Sequence, residues 1–387
     1  MDSTQQSVVA LLRSAVTGKA VPLPEDFSLE QVVPYVKKHH ILPLVYEGAQ
    51  LCGVQDPLMS QLFAGYCRLL QISEGQMREL GRIFAAFEEA GIDYMPLKGS
   101  RMKYIYPKPE LRVMGDADVL IRLEQYDRII PIMEQLGFVN TDNTDHELIW
   151  QKPALFVELH KRVIPSYNKD YFRYFGDGWQ LAKHRQGHYF SMDQEDEWIY
   201  ELTHFAKHFR DGGIGCRHVL DLWMYRNAHP DMDESYIENE LEALGLVDFH
   251  RNVCALTRYW FEAAPADEIV ELMGEYVMAS GSWGQIEERV RSITIRDRKH
   301  SVVGFSGKLV YLWRKLFPPA RLLEKKYTIL QKAPWMLPAV WLVRPFYKLL
   351  FESKSLDTQK REMEALDEAS IEQHHEMLKK MGIDYRF

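Results

Sequence analysis

Apolar residues recur at three- and four-residue intervals from the start of the chain, through Val8, Val9, Leu11 and Leu12 and then Leu29, Val32, Val33 and Val36. That spacing puts them on one helical face and predicts helices over residues 4–90. Ser28, followed three positions later by Gln31, has the form of a capping box. The segment from Met59 to Ala90 keeps the period almost without Pro or Gly. The period then breaks at Gly91-Ile92-Asp93-Tyr94-Met95-Pro96-Leu97, where a short extended run follows. From there to about Phe190 the pattern predicts strand, short helix, strand, a helix over Glu124 to Leu136, and a hairpin of Leu148–Gln151 with Leu155–His160 turned at Lys152-Pro153. Helical spacing returns from Glu195 to about Arg296, broken at Gly212-Gly213 and His229-Pro230. The fold class expected is α+β: a mixed sheet with helices, covered mainly on one face, flanked by N- and C-terminal helical regions. The divisions expected are 1–90 (helical), 91–192 (sheet core), 193–300 (helical) and 301–387 (a basic, aromatic helical region).

Two of the apolar runs contain carboxylates. Asp116 and Asp118 precede and enter Val119-Leu120-Ile121, and Glu158 lies between Val157 and Leu159. A charge in a buried strand is costly unless paired, hydrogen-bonded or metal-bound. Side chains two apart on a strand share a face, so Asp116 and Asp118 can serve one cation, with Glu158 from a neighbouring strand. Ligands that are all oxygen favour Mg²⁺ or Mn²⁺ over zinc. Acid-x-acid also occurs at Glu195-Asp196-Glu197, Asp231-Met232-Asp233 and Glu240-Leu241-Glu242, in polar or helical surroundings that predict solvation. Only the Asp116–Asp118 pair follows a small-residue turn, Leu97-Lys98-Gly99-Ser100. Gly99 allows close backbone approach, and Ser100 can open a helix whose free N–H groups bind an anion such as a triphosphate. Lys98 and Arg112 can neutralise phosphates, and either also suits a surface cation.

The order of the Gly-Ser turn, Asp-x-Asp and a third acid resembles the nucleotidyltransferase superfamily typified by DNA polymerase β. The likeness is closer to a family of uncharacterised bacterial nucleotidyltransferases that share Leu-Lys-Gly, Arg-x-x-Gly-Asp-x-Asp and Val-Glu-Leu-His, here Leu97–Gly99, Arg112–Asp118 and Val157–His160. It is strongest over residues 92–162 and extends more weakly to about Leu222. The resemblance implies a polymerase-β-type core, metals held by Asp116 and Asp118, and Glu158 binding the catalytic metal and helping to activate the acceptor. It also implies a triphosphate on Gly99-Ser100, and transfer of a nucleoside monophosphate from a nucleoside triphosphate such as ATP to an acceptor hydroxyl. No base-reading motif is present. Two other readings stay open: a catalytically silent nucleotide-binding or adaptor protein on the same fold, and a metal-dependent phosphotransferase.

His204 and His208 stand one helical turn apart, a spacing suited to a metal or to hydrogen bonding, and Asp221 can join them. His160 is expected to pack against or orient Glu158.

Composition narrows the partners. The chain of 387 residues carries a formal net charge of -8, which argues against a general nucleic-acid binder and favours a small molecule, peptide or protein as acceptor. The four cysteines lack CxxC spacing and read as reduced packing residues. The start lacks a secretion signal, and the longest apolar stretch, Ala333 to Val343, is too short to span a bilayer, so a cytoplasmic protein is expected. Residues 308–351 interleave Lys and Arg with Trp313, Phe317, Trp335, Trp341, Phe346 and Phe351. They fit either a helical subdomain with a cationic rim, the reading favoured here, or a segment lying on an anionic membrane surface.

Overall fold

Helices occupy nearly all of the chain ahead of the first strand, in a computed structural model that describes residues 1–282, 284–300, 313, 316–323, 327–351, 361–362 and 364–385. They are α1 (Ser3–Thr17), α2 (Leu29–His39), α3 (Leu42–Leu51) and α4 (Leu58–Ala90). Ser28 takes the N-cap position of α2 but its side chain caps nothing. Gln31 instead accepts a hydrogen bond from the Thr4 hydroxyl at 3.0 Å. The capping box forms at α1, where the Asp2 carboxylate and Gln5 satisfy each other's backbone N–H groups.

A seven-stranded mixed sheet follows, in the order β3-β4-β5-β2-β1-β7-β6. Its strands are β1 (Tyr94–Pro96), β2 (Ala117–Ile121), β3 (Val139–Asn143), β4 (Glu147–Lys152), β5 (Leu155–His160), β6 (Lys183–Gln186) and β7 (Tyr189–Ser191). The expected hairpin is β4–β5, closed at Lys152↔Leu155. The central pair, β2 and β5, runs parallel, while β1 lies antiparallel on the other side of β2. The intervening helices are α5 (Gly99–Met102), α6 (Tyr126–Gln135) and α7 (Lys169–Phe175). The remainder is α8 (Gln194–Asp211), α9 (Cys216–Ala228), α10 (Glu234–Leu244), α11 (Val247–Glu262), α12 (Glu268–Ser280) and α13 (Ile286–His300), and, among the later described residues, α14 (Ala320–Leu323), α15 (Ile329–Lys332), α16 (Leu337–Phe351) and α17 (Glu368–Lys380).

The sheet's centre is buried on both faces rather than mainly one. Val119 and Ile121 of β2 join Leu80, Ile83 and Phe87 of α4 and Ile129 and Met133 of α6 in one core. Leu120, pointing the other way, joins Tyr171 and Phe175 of α7 and Trp198, Ile199 and Leu202 of α8 in a larger one. That larger core also takes in Val8, Leu11 and Leu12 of α1 and Leu256 and Trp260 of α11, so helices from before and after the sheet share one interior. Because Asp118 alternates with Val119, it belongs to the α8 side.

Of the basic aromatic region, Lys308, Arg314, Lys315, Lys325 and Lys326 lie outside the described residues. Trp313 and Trp335 are exposed, at 65% and 80%. The rings of Phe317 and Trp341 meet at 5.2 Å. Among the described residues, no helix is long and apolar enough to cross a membrane.

Gly48 lets α3 approach α1 closely, since a Cβ there would sit 2.0 Å from the Leu11 carbonyl oxygen. Gly48→Ala must push α3 off α1, and we expect it to cost about 1–3 kcal/mol of stability, read as a lowered midpoint of urea unfolding.

Candidate functional site

Period-two alternation and strand register assemble the site. In the parallel β2–β5 pair Asp118 stands opposite Glu158, and Leu120 opposite His160. Asp118, Glu158 and His160 thus share the face toward α8, and their ligand atoms lie within 4.8 Å of one another. Asp116 precedes β2 instead of lying within it, so it approaches from the lead-in loop and stands outside that group. Its carboxyl is pushed up to about 6, chiefly by burial and then by the charges of Asp118 and Glu158.

Asp118 is 5% exposed. Its Oδ1 accepts from Lys98 Nζ at 2.7 Å and from His160 Nε2 at 2.7 Å. Burial works to raise its pKa, but these two cations outweigh it and hold the carboxyl well below the usual range. They respond in kind. Burial lowers Lys98 and His160, yet the carboxylates prevail and both are raised. His160 Nε2 also lies 3.5 Å from Glu158 Oε2. Its Nδ1 lies 3.2 Å from Nε2 of His146, which burial and the charge of His160 keep neutral, with a pKa of about 2.

The turn that delivers Lys98 is strained. Lys98 has φ 47° and ψ -124°, the second position of a type II′-like turn closed by the Ser100 N–H to the Leu97 carbonyl. Such a position normally takes Gly, and a side chain there costs about 1–3 kcal/mol. Ser100 turns its hydroxyl inward, donating to the Leu97 carbonyl at 2.6 Å. The Arg101 N–H bonds the Lys98 carbonyl. Gly99 is packed from behind, since a Cβ would come within 3.0 Å of the Arg112 guanidinium.

Arg112 has a fixed partner. Its Nε and Nη2 donate to the two oxygens of Asp221 at 3.0 and 2.8 Å, and the Tyr106 hydroxyl donates to the same carboxylate at 2.7 Å. The guanidinium therefore buttresses the turn and ties it to α9. Asp221 does not join His204 and His208, whose Nε2 atoms instead meet each other at 3.1 Å. Burial, with Lys98 and the neighbouring cations, keeps both imidazoles neutral.

Several residues were not singled out by sequence reasoning. The run at 195–197, expected to be solvated, places Asp196 and Glu197 in the interior. Glu197 accepts both arms of Arg101, at 2.6 and 2.7 Å. Glu197, Tyr200, Glu201, His204, Lys207, His208 and Asp211 follow helical spacing, and that polar stripe along α8 was the available signal. Arg217 of α9 donates to the Val113 carbonyl at 2.9 Å and feels the charge of Asp116. A cavity of about 500 Å³ opens on the α4 side of the turn, beside Phe84, Tyr94, Arg101 and Tyr189, and none of the three site carboxylates lines it.

A family model described as an uncharacterised nucleotidyltransferase matches residues 25–262. The chain belongs to that family. The match runs from α2 to the end of α11, so the family unit includes the helices on both sides of the sheet. The family carries a general role in nucleotidyl transfer, and the carboxylates and imidazole of its site are groups able to bind a metal. No curated protein and no solved structure matches the chain.

The Arg112–Asp221 pair gives a test of what holds the family's turn. Arg112→Met strands a buried carboxylate and is expected to cost about 3–5 kcal/mol, whereas Arg112→Met with Asp221→Leu should recover most of it. Burial works to raise the Asp221 pKa, but Arg112 prevails and holds it below the ordinary carboxylate range. The pair's contribution is complete above the unfolded value and is lost as pH falls through the folded one. Asp221→Asn should remove that part of the acid limb in a series of thermal melts against pH.

Proposed function

We propose that the protein transfers a nucleoside monophosphate from a nucleoside triphosphate to an acceptor hydroxyl, at the site formed by Asp116, Asp118 and Glu158 beside the Lys98-Gly99-Ser100 turn. The observation that carries this reading is the register of β2 on β5, which sets Asp118 against Glu158. The acceptor oxygen forms a bond to the α-phosphorus, the bond from that phosphorus to the bridging oxygen breaks, and pyrophosphate leaves. A divalent cation, Mg²⁺ or Mn²⁺, supplies neutralisation of the attacking and leaving oxygens. The residues fit such a cation, since Asp118 and Glu158 offer oxygens within one small volume, while His160 remains the hydrogen-bond partner of Asp118. Asp116, at the mouth of the same face, is available to the cation or to the acceptor's proton. Lys98, already drawn to Asp118, can pass to phosphate when a cation takes its place on the carboxylate. Arg112 supports the turn from behind and leaves direct phosphate contact to other groups. The acceptor favoured is a small molecule, peptide or protein, in keeping with the net charge of -8.

Labelled triphosphates incubated with cell extract and the full chain test the reaction. Pyrophosphate release with label transfer is expected. Chelation should abolish it, and added Mg²⁺ or Mn²⁺ should restore it. Asp116→Asn with Asp118→Asn, and Glu158→Gln separately, should each reduce it to background with the fold intact by circular dichroism. Release of nucleoside diphosphate instead would make the protein a phosphotransferase, and tight binding without turnover would make it a silent nucleotide binder.

A further inference from the structure

Two imidazoles and a carboxylate converge on the β4 side of Asp118. The pairing of β4 with β5 sets Glu147 against His160, and His146 stands one position ahead of Glu147, just before the strand. A tight turn fixes this lead-in. Thr144 Oγ1 accepts from the N–H groups of both His146 and Glu147, at 3.2 and 3.0 Å, and the His146 carbonyl accepts from the Lys161 N–H at 2.9 Å. The side chains then meet. His146 Nε2 lies 3.2 Å from His160 Nδ1 and 3.8 Å from Glu147 Oε2, and one ligand atom from each of the three residues falls within 4.8 Å of the other two. His160 is buried, while His146 and Glu147 are partly exposed, so solvent reaches two of the three.

A hydrogen bond between the rings accounts for only part of this arrangement. The 3.8 Å contact is too long for one, and the Glu147 carboxylate accepts no hydrogen bond among the described residues. A cation accounts for all three groups. Two imidazole nitrogens held at about 2.0–2.1 Å by a tetrahedral zinc ion stand about 3.3 Å from each other, close to the spacing seen here. His160 is also braced as a metal-bound imidazole commonly is. Its Nε2 donates to Asp118 at 2.7 Å, and a second N–H given to a carboxylate fixes the ring and leaves the other nitrogen to the metal.

We propose that His146 Nε2, His160 Nδ1 and a Glu147 oxygen bind a transition-metal cation of the zinc class, at a site separate from the oxygens of Asp118 and Glu158. The two sites differ in chemistry. Oxygen ligands alone favour Mg²⁺ or Mn²⁺, whereas two imidazoles and one carboxylate suit zinc and leave one coordination position open. A proton held between the two rings passes to solvent when the ion binds. The ion then fixes His160 in the tautomer that donates to Asp118. This assignment stands apart from the transfer reaction.

Titration of the metal-free full chain with Zn²⁺ against a chromogenic chelator, in excess Mg²⁺ to fill the oxygen site, tests it. Binding of a single Zn²⁺ is expected. His146→Gln and Glu147→Gln should each weaken it by about tenfold or more, at least the loss that follows removal of a group supporting a metal ligand, whereas Asp116→Asn should leave it unchanged. Zn²⁺ should also raise the melting temperature of the unsubstituted protein and not that of Glu147→Gln. Equal melting temperatures of the two without metal would show that the variant lost a ligand and kept its fold. Failure to bind stoichiometric Zn²⁺ in excess Mg²⁺, or an affinity unchanged in both variants, would overturn the proposal. So would binding that is lost in Asp116→Asn and kept in His146→Gln, which would put the zinc on the oxygen site.

Discussion

A single carboxylate, Asp118, sets the terms for the centre of this protein. It lies in a strand whose other residues, Ala117 and Val119 to Ile121, are all apolar, and burial works to raise its pKa. Lys98 and His160, each 2.7 Å from the same oxygen, keep it ionised. The two arrive by different routes. His160 comes from β5 through strand register, so the parallel pairing that aligns Asp118 with Glu158 also delivers a counter-ion two positions on. Lys98 comes from the end of β1 through a turn whose backbone a side chain rarely adopts. Strain and charge are thereby coupled, because the turn's unfavourable geometry is offset by the ion pair that it makes attainable.

The helical layer over this face is part of the site. Arg101 binds Glu197 of α8 and Arg112 binds Asp221 of α9, so two arginines close to the Lys98 turn each fix one helix. Breaking either pair would leave a buried charge and loosen the turn. The family match from residue 25 to 262 fits this picture. A unit confined to the sheet would expose the larger core that α8 and α11 share with β2.

How much of this was legible in the sequence follows from burial. The strands β1, β2, β4 and β5 were readable because they alternate or run apolar, and the α8 side of Asp118 and Glu158 follows from period two. The strand β3, Val139–Asn143, and the β6–β7 hairpin gave no such signal. They lie at the two ends of the sheet, where Val-Asn-Thr-Asp-Asn and Lys-His-Arg-Gln face solvent, and polar edges protect a sheet from further pairing. Pair partners distant in sequence were also hidden. Arg112 reads as a phosphate ligand until Asp221, 109 positions away, is seen to claim it. Glu197 looked solvated because its neighbours are charged, although α8 is buried all round from Asp196 to Lys207. The Ser28–Gln31 pattern had the right residues, but a competing contact from Thr4 took the glutamine.

Net charge gave the wrong scale for judging the site. The chain is negative overall, yet near its carboxylates burial, aided by neighbouring cations, holds His146, His204, His208 and His218 neutral. Burial is the larger cause in each, and neighbouring cations push in the same direction. Acidic groups on the sheet and a basic helical wall above them form a two-signed site. A magnesium–polyphosphate is itself two-signed, with a cation to be met by carboxylates and an anionic chain to be met by ammonium and guanidinium groups. Carboxylates alone would hold a cation but repel the phosphates attached to it, so in the reaction proposed above the second sign would have to come from the helices.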